Sequence, residues 1–239
     1  MSRWVIIGGA GLTGMNLANK LIKQLNINPS NIILADLEQR LRNIKLPVKL
    51  SSCDISKNIF PEFKKNDIVI HLAARQYHIS VPWKNRLDWF KEVNVTGTKN
   101  LLNTIINIDL KGLIYFSTDM VYGYPQTLPI KVDHHRKPLG PYGKSKLEAE
   151  NILRGTRRKW AIFRPNVLYS SDLFSKGNFF AWIYKSLLKK DSISVVSDQI
   201  SNPTFNQQFV KAIFQCIIMD FEGILHIGSD DYMSRYEFA

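Results

Sequence analysis

Short apolar runs alternate along the chain with longer stretches whose apolar residues recur every three to four positions. Val5-Ile6-Ile7 is the first run, and Gly8-Gly9-Ala10-Gly11-Leu12-Thr13-Gly14 follows at once. Leu17, Ala18, Leu21, Ile22 and Leu25 then recur at helical spacing, so the opening predicts strand, glycine turn, helix. Residues 31–35 predict a second strand, 37–47 a loop or short helix, and 48–50 a short third strand. Residues 68–72 predict a buried strand that delivers Ala73-Ala74. A helix is expected over 88–106, with Phe90, Val93, Leu101, Leu102 and Ile105 as its apolar face. Residues 113–116 predict a strand ending at Ser117-Thr118-Asp119. The stretch 123–141 holds Pro125, Pro129, Pro138, Pro141 and Gly140, which predicts a long loop at a strand end. Beyond it the pattern predicts a helix over 142–153, a strand over 161–163, a helix over 179–188, a strand over 193–196, a helix over 205–219 and a strand over 223–227. This alternation implies an α/β fold with a doubly wound, mostly parallel sheet. Residues 1–165 form the expected main unit, and 166–239 a smaller lobe interleaved with the sheet.

The glycines at 8, 11 and 14 have distinct expected duties. The first permits a tight turn, the second lets the backbone approach a pyrophosphate, and the third lets the helix pack close to the strand. The helix N-terminus offers Leu12 and Thr13 amides and a partial positive charge to phosphates. Alone, such a triplet also suits a turn that only packs strand on helix. Asp36 at the end of the second strand changes the balance, because an acid about twenty residues beyond the glycines can accept from ribose hydroxyls. A dinucleotide site is therefore expected, with NAD favoured by the Asp36 carboxylate. Arg40 and Arg42 lie just beyond it and keep NADP open.

Composition narrows the classes. The 239 residues are 45% hydrophobic, enough for one sizeable core. The two cysteines, Cys53 and Cys216, make no disulfide framework and suit buried free thiols in a reducing compartment. The early apolar run is too short for a signal peptide, and none reaches the roughly 18 apolar residues of a membrane span. A cytoplasmic location without membrane contact is expected. The net charge is +12 and the pI about 9.7, yet the lysines are spread along the chain and no nucleic-acid motif accompanies them. The cluster Arg154, Arg157-Arg158-Lys159 suits the end of a helix. Histidines 71, 78, 134, 135 and 226 have no metal-ligand spacing with the cysteines, so no metal is expected.

Tyr142-Gly143-Lys144-Ser145-Lys146 places a tyrosine and a lysine one above the other on a helix face. Such a pair is often no more than surface neighbours. An adjacent ammonium also lowers a phenol's pKa and makes it a proton carrier for a carbonyl or hydroxyl. Thr118, ending the preceding strand, could polarise the same oxygen.

With these residues in hand, the sequence resembles the extended short-chain dehydrogenases/reductases of the nucleotide-sugar epimerase/dehydratase group, over almost its whole length. The resemblance rests on Gly8, Gly11, Gly14, Asp36, Asp54-Ile55, His71-Leu72-Ala73-Ala74 and Asn94-Val95-Thr96-Gly97-Thr98. It continues through Ser117-Thr118-Asp119-Met120-Val121-Tyr122-Gly123, Tyr142 with Lys146, and Arg164-Pro165. It implies a Rossmann-type sheet and a nucleotide-sugar substrate. By it Tyr142 is the acid/base, Lys146 also holds the nicotinamide ribose, and Thr118 orients the reacting oxygen. Asn94 supports the active-site helix, Leu72, Ala73 and Ala74 line the cofactor, and Asp54 and Ile55 contact adenine. For Asn94 the alternative of a polar cap on a backbone bend stays open. A homodimer through the helices beginning near Asp88 and Tyr142 is also implied.

The C-terminal third is similar to the dTDP-4-dehydrorhamnose reductases. Val195-Val196-Ser197-Asp198-Gln199 with Pro203-Thr204 resembles their D-Q-x-x-x-P-T stretch, and Ser234-Arg235-Tyr236-Glu237-Phe238-Ala239 their S-x-Y-E-F-A segment. Ile7 departs from the family's usual threonine, Ser170-Ser171 from its Gly-Pro, and Met120 from the glutamate that dehydratases carry beside Asp119. Without that second carboxyl a dehydratase is disfavoured. The resemblance favours a 4-keto-sugar reductase, with an epimerase as alternative. A non-catalytic NAD(P)-binding subunit, like the regulatory subunit of methionine adenosyltransferase, is the rival of another class. Ser234 and Glu237 fit a capping box that starts a helix one turn before the last residue. A shortened substrate lobe, poor packing of the last residues and weak nucleotide-sugar binding are therefore expected.

Overall fold

The computed structural model describes residues 2–77, 80–172 and 178–239. Seven strands form one sheet: β1 (Trp4–Ile7), β2 (Ile32–Asp36), β3 (Lys49–Ser52), β4 (Ile68–His71), β5 (Gly112–Phe116), β6 (Ala161–Pro165) and β7 (Gly223–Ile227). Their order is β7-β6-β5-β4-β1-β2-β3, and every adjacent pair is parallel. The chain winds outward from β1 through β2 and β3, then returns to the other side of β1 at β4. The crevice at that reversal, beyond the strand C-termini, is where open α/β sheets take ligands. The Rossmann-type fold read from the sequence is the one observed.

Among the described residues four longer helices cover the sheet, and a fifth, α4 (Phe179–Lys189), lies in the C-terminal part against Tyr169 and Phe238. The four are α1 (Leu12–Lys23), α2, α3 (Pro141–Arg154) and α5 (Asn206–Ile218). Helix α2 runs as α-helical Arg86–Lys91, π-helical Glu92–Gly97 and α-helical Thr98–Thr104. Strand alternation sorts the core into two layers. Ile6, Leu34, Ile70, Ile114, Phe116 and Phe163 pack with Leu17 and Leu21 of α1 and Phe209 and Ile213 of α5. Val5, Ile7, Ile33, Val69, Leu113, Tyr115 and Ile162 pack with Leu101 and Leu102 of α2 and Ala149 and Leu153 of α3. Both cysteines are free and buried, and burial pushes their thiols up, Cys53 to about 12 and Cys216 to about 11.

The basic cluster is partly structural. Arg158 donates to the carbonyls of Ile105, Ile106 and Ile108 and so satisfies the end of α2. Lys159 pairs with Asp220 at 2.5 Å. Among the described residues no helix is long and apolar enough to cross a membrane, and no group of His, Cys, Asp and Glu could hold a metal ion. His78 lies outside the described residues.

Two expectations fail in the C-terminal part. Residues 193–196 form no strand: the run is rich in β-branched residues, but among the described residues no neighbouring strand offers it a ladder. Instead two-residue strands pair Leu168–Tyr169 with Thr204–Phe205 and Ile200–Ser201 with Met233–Ser234. The last residues are also better packed than expected. The capping box at Ser234 and Glu237 is complete, and Phe238 lies 5.1 Å from Tyr169 and 5.7 Å from Phe179 between ring centroids. Only Tyr236, Glu237 and Ala239 face outward.

Candidate active site

The glycine turn is tight and closely packed. Gly8 has φ +84°, and a Cβ there would lie 2.5 Å from the Ala73 amide nitrogen, so glycine is required both for the turn and for the close approach of the strand beyond β4. Gly14 is held against the Gly9 backbone, where a Cβ would come within 2.5 Å. Gly11 is the least crowded of the three. Its Cβ would meet only the Gly8 carbonyl at 3.3 Å and Arg40 at 3.8 Å, which leaves the backbone open to a ligand. No side chain caps α1, and its first intrahelical bond is Met15 N–H to the Gly11 carbonyl. The amides of Leu12, Thr13 and Gly14 come before that bond and are left for an anion.

Asp36 is 5% exposed, and its carboxylate accepts from the amides of Ala10 at 3.0 Å and Leu37 at 2.8 Å. Arg40 stands 3.5 Å from it. A carboxylate has roughly four acceptor sites, so two remain for ribose hydroxyls. These residues fit a dinucleotide. Leu72 and Ala73 both donate their amides to the Ile7 carbonyl, which holds the Leu72-Ala73-Ala74 segment against the glycine turn. Asp54 caps a short helical turn, accepting from the Ser56 amide at 3.1 Å and hydroxyl at 2.6 Å. The Ile55 side chain is buried against Gly97, and its carbonyl accepts from the Asn100 side-chain amide at 2.9 Å.

Tyr142 and Lys146 sit on consecutive turns of α3, and both are buried. The Tyr142 ring lies 5.8 Å from both Tyr77 and Phe90. Burial raises its hydroxyl well above the ordinary tyrosine value, and Asp119 and Tyr77 add to the shift. The sequence predicts the opposite, a phenol acidified by Lys146. Desolvation overrides that effect. Burial also brings Lys146 down to about 7, against the opposing pull of Glu150. Its Nζ stands 4.2 Å from the Tyr115 ring centroid. Tyr142 thus holds its proton. Thr118 is the N-cap of a short helical turn after β5. Its hydroxyl donates to Asp119 at 3.0 Å and accepts from the Met120 amide at 3.2 Å. A bound carbonyl would take over that proton.

Asn94 lies in the π-helical turn and is 1% exposed. Its amide bridges the Arg75 backbone and the Ser145 hydroxyl, which ties α2 to α3. Its bonds to both the N–H and the carbonyl of Arg75 fit a residue that holds a backbone bend, and its bond to Ser145 reaches the helix of Tyr142 and Lys146.

Sequence reasoning misses a second buried group. Glu150, one turn beyond Lys146, accepts from Arg164 Nε at 2.9 Å and Nη2 at 2.6 Å, with both side chains at 0% exposure. Arg164 also donates to the Tyr122 hydroxyl and, at 3.1 Å, to the Val132 carbonyl. The Tyr122 hydroxyl lies 2.6 Å from His226 Nε2 on β7. The network anchors the proline-rich loop to the sheet. Its one sequence signal is that Glu150 extends the Tyr142, Lys146 series by another four residues.

The family model of the RmlD substrate binding domain matches residues 2–239. The dTDP-4-dehydrorhamnose reductase of Mycolicibacterium smegmatis is 30% identical over 87% of this chain and 63% of its own length. A UDP-glucose 4-epimerase of Streptococcus mutans is 28% identical over 66% of this chain and 48% of its own. The chain thus spans about half to two-thirds of the length of these relatives. Among solved structures, the Bordetella bronchiseptica enzyme WbmG in complex with NAD superimposes with a TM-score of 0.77, at 21% identity, over 98% of this chain and 75% of that one.

Proposed function

The chain belongs to the RmlD substrate binding domain family, and from that premise we propose that it reduces the keto group of a nucleotide-linked 4-keto sugar with NAD(H). The observation that carries this reading is the buried Thr118, Tyr142 and Lys146 set at the C-terminal edge of the sheet, beside a turn built for a dinucleotide. Gly8 to Thr13 would hold the pyrophosphate and Asp36 the adenosine ribose, with Arg40 close enough to tolerate NADP(H). When bound there, the cofactor supplies the hydride for the sugar carbon. Thr118 holds the carbonyl oxygen in place. Tyr142, kept protonated by burial and by Asp119, gives its proton to that oxygen as negative charge develops. Lys146 holds the nicotinamide ribose and stabilises the phenolate that remains.

An epimerase remains the second reading, because relatives of that name share the chain's sequence pattern. A panel of nucleotide 4-keto sugars mixed with NADH decides between them. Loss of nicotinamide absorbance in step with sugar supports the reductase. Interconversion of 4-epimers with no net change in cofactor means an epimerase. Cofactor binding without turnover of any sugar means a non-catalytic subunit. We also propose a cytoplasmic location, in line with two free buried thiols, and a homodimer through α2 and α3. Light scattering that finds only a 27.5 kDa species refutes the dimer.

A further inference from the structure

Between the sheet and the helix that carries Tyr142 runs a buried chain of hydrogen bonds that the proposed chemistry does not use. It begins at His71, the last residue of β4, whose ring is 2% exposed. His71 Nε2 lies 2.9 Å from Thr98 Oγ1, and the Thr98 hydroxyl donates to the Asn94 carbonyl at 2.7 Å. A hydroxyl has one proton. With that proton committed to Asn94, the Thr98 oxygen accepts from His71, which fixes the ring as the Nε2–H tautomer. Its Nδ1 has no partner among the described residues. Burial, and then the charge of Lys146, hold the ring's pKa down to about 3, so it stays neutral at ordinary pH.

The chain continues from Asn94. Its amide donates to Ser145 Oγ at 2.9 Å, and Ser145 Oγ donates to the Tyr142 carbonyl at 2.7 Å. Thr98 is 2% exposed, and Ser145 is fully buried. The path therefore crosses from β4 through α2 into the first turn of α3. Its middle is the π-helical turn Glu92–Gly97, where α2 leaves its regular hydrogen-bond ladder. Such turns recur at functional sites and depend on their surroundings to persist.

Resting on the reading that Tyr142 transfers the proton, we propose that His71 and Ser145 are positioning residues. His71 locks the π-helical turn through Thr98, Asn94 in that turn holds Ser145, and Ser145 sets the first turn of α3 so that Tyr142 meets the substrate oxygen. Neither His71 nor Ser145 touches substrate.

His71→Leu, Thr98→Val and Ser145→Ala each cut the path, while His71→Gln keeps an amide nitrogen where Nε2 stood. In the first three, kcat falls between about tenfold and a hundredfold, the loss expected of small misplacements at a reacting centre. KM and cofactor Kd stay within about twofold, because binding is not what the path supplies. His71→Gln recovers most of the rate. Hydrogen exchange at the amides of residues 141–147 quickens in His71→Leu and Ser145→Ala, while exchange in β5 and β6 is unchanged. An unaltered kcat, a His71→Gln variant as slow as His71→Leu, or exchange that quickens throughout the protein would overturn the proposal. Thr98→Val, nearly isosteric, decides the matter if His71→Leu does not fold. The exchange comparison needs no turnover, so an enzyme inactive on every sugar defeats the proposed function without deciding this one.

Discussion

Replacing Glu150 with glutamine removes one charge from an ion pair that is fully enclosed. Both carboxylate oxygens of Glu150 are used by Arg164, at 2.9 and 2.6 Å, and neither side chain reaches water. Glutamine keeps the shape but offers one acceptor, and its NH2 group must face an Arg164 donor. The guanidinium is then buried without a counter-charge. Removing one partner of a buried pair costs about 3 to 5 kcal/mol, more than the pair itself contributes, because the orphaned charge stays desolvated. For a chain of this size that corresponds to a fall in Tm of roughly 6 to 20 °C. Urea unfolding followed by tryptophan fluorescence measures it directly. A double variant, Glu150→Leu with Arg164→Met, removes both charges and should return to within about 2 kcal/mol of the parent. Loss of less than about 1 kcal/mol in Glu150→Gln would refute the reasoning, since it would mean that water reaches Arg164 after all.

Three further outcomes follow from the site. Tyr142→Phe should lose about 10² to 10⁴ in turnover while binding NADH as before, since only the proton-carrying hydroxyl is gone; full activity in this variant would rule out the mechanism. Asp36→Ala should weaken NADH more than NADPH in a fluorescence titration, and a larger loss for NADPH would remove Asp36 from the ribose. Lys146→Met should stabilise the fold in a way that depends on pH. The folded value of Lys146 is lowered to about 7, so between there and the ordinary lysine value the unfolded chain binds more protons and the parent gains stability as pH rises. The advantage of the variant is therefore largest near and below pH 7 and shrinks toward the ordinary lysine range, and a pH-independent difference would contradict it.

What could be read from the sequence is what is local in it. Gly8, Gly11 and Gly14 with Asp36, or Tyr142 with Lys146, declare themselves through spacing within one turn or one strand–helix unit. The parallel sheet follows from alternation alone. The residues that join distant segments leave no such trace. His71 meets Thr98 across 27 positions, and Tyr122 meets His226 across 104. The π-helical turn also escapes detection, because the apolar spacing of Phe90, Leu101 and Ile105 is met by an ordinary helix. Ile193 to Val196 failed for the reverse reason. A run of β-branched residues suits a strand but does not supply the neighbour that makes it one. At Tyr142 the sequence displays the charged neighbour, whereas the burial that raises its hydroxyl comes from the fold.

Asp36 has a bearing on how cofactor preference can change. The carboxylate that would grip the ribose also receives the amide of Ala10, inside the loop that would cradle the phosphates. One side chain thus shapes both halves of the dinucleotide site. A lineage or an engineer that removes this acid to admit a 2′-phosphate also unfastens the phosphate loop, and the two effects will not add. Exchange by way of asparagine, which retains an acceptor for one of the two amides, is the open route. Arg40 already stands beside that position, so the charge needed for the new cofactor is in place before the acid is given up. If Asp36 holds the ribose as proposed, cofactor choice is constrained less by the missing attraction than by the loop that depends on the existing one.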